Sequence, residues 1–163
     1  MMNKDIALIA DRINRKCHVT KCKSRGCSVS LEGMPHPSER LIVNMDCREL
    51  HIQNDMKRCD YLVFIDDSSG DQAGRILAIS IEMKNEKVCD ITHIMEQIKR
   101  GIEIAEQWMP EGASSCFIAV LVHNGIDKQS AKKLAESPIR ISGVNHFVRP
   151  IRCRSCLKDA LKQ

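Results

Sequence analysis

Apolar residues recur at two different periods along this chain, and the alternation between them predicts its elements. Ile6, Ile9, Ala10 and Ile13 fall on one face of a helix running from about Lys4 to Lys16, with Asn3 placed to cap it and Cys17 continuing the stripe. A longer stripe of Ile91, Ile94, Met95, Ile98, Ile102, Ala105 and Met109 marks a second helix over about 91–109, ended by Pro110 and Gly112. Between them lie short runs that read as strands: Arg40 to Asp46, Asp60 to Ile65 and Arg75 to Lys84. Phe117 to Val122 reads as a buried strand and Asp127 to Ala135 as a short amphipathic helix, with edge strands expected at Ile139 to Ile141 and His146 to Ile151. His18 to Pro37 reads as a basic, cysteine-rich loop and Asp66 to Gly74 as a polar one, while Cys47 to Lys57 shows no decisive period. Helix, three strands, helix, strand is the order expected of an α/β domain with a mixed sheet.

At 163 residues the chain suits one domain with a self-sufficient core, spanning residues 1–163. Its 25 basic and 21 acidic residues give a net charge of +4, which permits contact with nucleic acid without requiring it. An aromatic content of 3 % argues against a base-stacking platform for single strands and favours contact with a phosphate backbone. There is no apolar run of the length of about 18 residues that a membrane span needs, and the N-terminus leads into a charged helix without a signal-peptide core. The expectation is a cytoplasmic protein with no membrane partner.

Chemistry enters at the strand ends. Asp60 opens one predicted strand, and Glu82-Met83-Lys84 closes the next. Residues two apart share a side of the pleat, so Glu82 and Lys84 should project together, and a hairpin would bring Asp60 beside them. Two carboxylates of this kind can hold Mg²⁺ or Mn²⁺. Such a metal polarises a phosphoryl oxygen and lowers the pKa of a bound water, while Lys84 positions that water or stabilises the developing charge. Taken alone, Glu-x-Lys at a strand end is more often a salt-bridged surface pair. Asp46, at the end of an earlier strand, reads as a cap for the following segment ahead of a place near the metal.

Cys59-Asp60-Tyr61-Leu62-Val63-Phe64, then Ile79-Ser80-Ile81-Glu82-Met83-Lys84, then a helix carrying Gln97, together resemble the PD-(D/E)XK nuclease superfamily. The resemblance covers roughly residues 40 to 125. It implies a restriction-endonuclease-like mixed sheet flanked by helices, an αβββαβ core, and a metal-dependent endonuclease acting on nucleic acid, with DNA as the first expectation. Asp60, Glu82, Lys84 and Gln97 would be its catalytic residues, Asp60 and Glu82 its Mg²⁺ or Mn²⁺ ligands. The chain departs from the pattern in three places: Cys59 stands where a Pro often precedes the first acid, the first helix carries no Glu, and no Tyr follows Gln97 at the usual spacing. A catalytically inactive module of the same fold, binding nucleic acid or a protein partner, is the competing reading. A homodimer or a larger nuclease complex is expected if both strands of a duplex are to be cut.

The nine cysteines form the second constellation. Cys153 and Cys156 make a C-x-x-C pair in the tail, and Cys22 with Cys27 makes a wider pair in the early loop. Together they could supply four thiolates to a structural Zn²⁺ that ties the tail to that loop. An iron–sulfur cluster is the less favoured alternative, and unligated thiols in a reducing compartment are the ordinary one. Cys47, Cys59, Cys89 and Cys116 are read as small hydrophobic residues. Lys57-Arg58, Lys99-Arg100, Lys87, Arg149, Arg152 and Arg154 are candidate phosphate contacts, and His93 and His123 are surface or cleft-rim residues.

Overall fold

The computed structural model describes residues 1–53, 55–67 and 74–163, so most of the expected Asp66–Gly74 loop lies outside the described residues. The first apolar stripe folds as helix α1, Lys4–Arg12, with Asn3 accepting a hydrogen bond from the Asp5 amide as its N-cap. The helix ends earlier than the stripe suggested. Ile13 turns extended, and Asn14 caps a separate 3-10 turn at Arg15–Cys17 through the Lys16 amide.

The early basic segment is not a plain loop. It holds a hairpin of β1, Cys22–Ser24, and β2, Cys27–Val29, turned at Arg25-Gly26, where Gly26 takes the left-handed conformation that glycine tolerates without strain. The three expected strands follow as β3 (Arg40–Asn44), β4 (Tyr61–Asp66) and β5 (Ile76–Lys84), paired antiparallel in sequence order. Helix α2, Thr92–Trp108, crosses over to β6, Ser115–His123, which runs parallel to β5. After α3 (Lys128–Glu136), the short strands β7 (Ile139–Ile141) and β8 (Val144–His146) form a hairpin of their own. The chain then adds β9, Val148–Arg152, parallel to β6, and ends in the short helix α4, Leu157–Leu161.

The result is a mixed five-stranded sheet in the order β3-β4-β5-β6-β9 with helices against it. The expected order of helix, three strands, helix and strand is present within it. Strand β5 is buried along almost its whole length, as a central strand covered on both faces must be. Its odd-numbered residues Ile79, Ile81 and Met83 pack with Cys22, Cys27 and Val29 of the hairpin and with Leu157 and Ala160 of α4. Ile76 and Ala78 face the other way, in the layer holding Ile6 and Ile9 of α1 and Ile104 and Ala105 of α2. Helix α2 comes so close to the sheet that a Cβ at Gly101 would collide with the side chains of Ser80 and Cys59. Ser80 in turn donates to the Ile98 carbonyl at 3.0 Å. These contacts fix α2 against the half of β5 that leads to Glu82. Among the described residues no helix is long and apolar enough to cross a membrane.

Candidate active site

Strand pairing brings the three separated residues together. The Asp60 amide donates to the Ile81 carbonyl at 3.0 Å, and the Asp60 carbonyl accepts from the Met45 amide at 3.0 Å. Asp60 is thereby held between β3 and β5 at the mouth of β4. Its side-chain Oδ2 accepts from the Met83 amide at 2.7 Å, which turns the carboxylate toward the end of β5. Lys84 Nζ lies 2.7 Å from Glu82 Oε1, as the two-residue period of a strand requires.

Glu82 is 1 % exposed, and its second oxygen, Oε2, is buried with no hydrogen-bond partner. An unpartnered buried carboxylate oxygen is costly unless something else satisfies it. Burial, reinforced by the neighbouring Asp60 charge and opposed by Lys84, pushes the Glu82 carboxyl up to about 7. Asp60 is also shifted upward by burial, against the Met83 hydrogen bond and the Lys84 charge. Two carboxyls kept from ionising chiefly by burial, with a lysine against one of them, are a donor set that fits a hard divalent cation.

The cleft around them has a volume of about 410 Å³ and is lined by Asp46, Arg58, Lys57, His93 and Gln97 as well as the three strand-end residues. Gln97 reaches it from α2, donating to the Arg58 carbonyl at 3.4 Å while its Oε1 stays buried and unpartnered. Asp46, expected as a cap, lies in the cleft instead, 3.2 Å from Arg58 Nε. Its position after β3 was visible in the sequence, but its convergence with Asp60 depends on β3 pairing with β4. Lys57 pairs with Glu96 of α2. Of the other basic residues singled out from the sequence, Arg149 and Arg152 are engaged with the carbonyls of Ala160 and Asn124, and Arg100 lies 3.5 Å from Glu103. His93 borders the cleft as expected, whereas His123 is buried, not a surface residue, with Nδ1 unpartnered.

No protein-family model, curated protein or solved structure matches this chain.

The cysteines correct the expected four-thiolate site. Cys27 is joined to Cys153 in a disulfide, with Cα atoms 5.1 Å apart, and Cys17 is joined to Cys47. A disulfide sulfur has no thiolate to offer a metal, so Cys22, Cys27, Cys153 and Cys156 cannot act as a zinc tetrad in this state, and a cluster drawing on Cys17 and Cys27 fails likewise. Cys22 is buried and its thiol pushed up to about 12 by that burial, and Cys156 is a separate half-buried thiol. Cys47, read as a small hydrophobic residue, is instead a disulfide partner. Cys17, Cys47 and Glu49 are the one group of three or more His, Cys, Asp or Glu among the described residues whose ligand atoms lie within 4.8 Å of one another, and two of them share a disulfide. The tail is nonetheless tied to the early segment, through Cys27–Cys153 and backbone hydrogen bonds from Arg154 to Ser28, Ser30 to Ser155 and Leu157 to Ser30. Two disulfides also depart from the expected set of reduced thiols.

Proposed function

We propose that this protein is a divalent-metal-dependent nuclease with a restriction-endonuclease-like core, cutting phosphodiester bonds at the Asp60–Glu82–Lys84 cleft. The observation that carries the proposal is the buried, unpartnered Glu82 Oε2 in a cleft shared with Asp60 and Lys84. Asp60 and Glu82 would hold Mg²⁺ or Mn²⁺. When bound, the ion supplies Lewis-acid polarisation of a phosphoryl oxygen and an acidified water.

The chain's own residues set the rest. The Met83 amide fixes the Asp60 carboxylate so that it need not reorganise. Lys84 keeps a cation beside Glu82 and offers a donor to a non-bridging phosphate oxygen or to the attacking water. Gln97, anchored at one end on the Arg58 carbonyl, presents an unpartnered oxygen able to accept from water. The burial of Glu82 excludes bulk solvent from its side of the site.

An inactive binding module would gain nothing from a buried carboxylate oxygen without a partner. The deciding experiment is cleavage of labelled single-stranded, duplex and branched DNA, and of RNA, with Mg²⁺ or Mn²⁺. Metal-dependent cutting abolished by Lys84→Ala supports the nuclease, and a folded wild-type protein that cuts none of them points to the binding module.

A further inference from the structure

The early hairpin stands next to the cleft. Tyr61, the only tyrosine, follows Asp60 directly and donates its hydroxyl to the Lys23 carbonyl at 2.6 Å. The hairpin tip at Gly26 faces Asn85, the residue after Lys84. The start of β4 and the residue after β5, at one end of the strand pair, therefore both lie against this hairpin.

Surface depressions connect these parts. A small one of about 290 Å³, lined by Lys23, Arg25 and Tyr61, shares Asp46 and Asp60 with the catalytic cleft. On its other side it shares Lys23 with a larger groove that also carries Lys21, Arg40 and Arg154, with Glu32 as its single acid. Lys21, Lys23 and Arg25 are exposed, and none of them is ion-paired among the described residues. Three free cations beginning beside an acidic centre suit a polyanion that must reach that centre despite its carboxylates.

We propose that the β1–β2 hairpin is the backbone grip of this protein, with Lys23 and Arg25 seating the phosphates that flank the scissile one, and that the polymer gripped is duplex DNA. The inference rests on the proposed nuclease only for what happens at Asp60. The duplex is favoured because the groove offers charge without stacking surfaces: its aromatic residue, Tyr61, spends its hydroxyl on the hairpin backbone. Cys27–Cys153 and the backbone bonds of the tail tie the hairpin to the C-terminal part of the fold. The sequence hid this because the lysines alternate with serines and cysteines in a segment that resembles a loop.

The test is binding of a short fluorescent duplex DNA in EDTA, where no cutting can occur, by wild type and by a Lys23→Ala/Arg25→Ala variant. Single-stranded DNA and duplex RNA run alongside. The variant is expected to bind the duplex about tenfold or more weakly and to lose about two from the salt-dependence slope, with Tm unchanged. A Lys23→Arg/Arg25→Lys variant should bind like wild type. Equal affinity and slope for wild type and the alanine variant would overturn the grip while leaving the nuclease reading intact. Tighter binding of single strands or of RNA would overturn the assignment to duplex DNA. Wild type that binds no nucleic acid, and cuts none with metal restored, would overturn both.

Discussion

The two ends of the β4–β5 hairpin carry similar residues in opposite states. At the far end, Asp67 is nearly buried and its carboxylate takes the Arg75 guanidinium across the loop, so charge meets charge. Asp66 keeps one buried oxygen without a partner there, but the second acid beside it is committed to Arg75. At the near end, Asp60 and Glu82 share a cleft with Lys84, which pairs with Glu82 Oε1, and Glu82 Oε2 is buried without a hydrogen-bond partner. The same residue types thus clasp Asp67 to Arg75 at one end and bury Glu82 in a cleft shared with Asp60 and Lys84 at the other. With two acids and one paired cation at each end, the ends differ in how the acid is held: Glu82 is 1 % exposed and its carboxyl is pushed up to about 7 by burial, while Asp67 meets the Arg75 guanidinium through both Nε and Nη2.

The largest effect should come from Lys84→Ala. Cleavage is expected to fall by about 100-fold to 1000-fold, the scale of losing one well-placed transition-state donor, with the circular dichroism spectrum unchanged. Cutting at the wild-type rate would remove the distinction between the two ends.

Next in size is the disulfide that anchors the near end. Cys153 Sγ lies 3.7 Å from the Lys84 carbonyl oxygen, and the bridge closes a sequence separation of 126 residues. Cys27→Ser/Cys153→Ser is expected to destabilise the fold by about 4 kcal/mol in urea titration. Hydrogen exchange should accelerate in the β1–β2 hairpin and α4 while the β4–β5 amides beside Asp67 stay protected. Uniform acceleration at both ends would show that the anchor is not local.

Glu82 supplies a pH test. Below the ordinary glutamate value both the folded and unfolded chains hold its proton. From there to about 7 the folded chain keeps a proton that the unfolded chain has released, so stability of the metal-free protein falls as pH rises across that window. The cumulative loss is about 3 kcal/mol. Glu82→Gln should abolish this dependence, leave the metal-free variant more stable than wild type at pH 8, and erase the Tm gain from Mg²⁺. Wild-type affinity for Mg²⁺ should itself rise with pH up to about 7, because the cation must displace that proton. A metal-free Tm that is flat between pH 5 and 8, at roughly constant buffer composition, would contradict a buried, unsatisfied Glu82.

Arg75→Ala, at the clasp, is the smallest change. It should lower Tm, since it leaves the nearly buried Asp67 without its cation, yet leave cleavage per folded molecule as it was. A loss of cutting comparable to that of Lys84→Ala would mean that both ends serve the reaction.

The periodicity of the chain determined most of what positions the site. Ile94, Ile98, Ile102 and Ala105 placed α2, the apolar runs placed β3 to β6 to within a residue or two, and the two-residue period put Glu82 and Lys84 on one face. These features are local, set by whether a side chain meets water or its neighbour three or four residues on. The tertiary structure alone decided that Asp46 joins the cleft, that Cys27 finds Cys153 instead of sharing a metal, and that a basic segment becomes a hairpin held by Tyr61 against the strand of Asp60. Each of these joins residues far apart in the chain through strand pairing and burial. A cysteine or an aspartate has the same identity in either setting, and only the partner that packing brings to it determines its role.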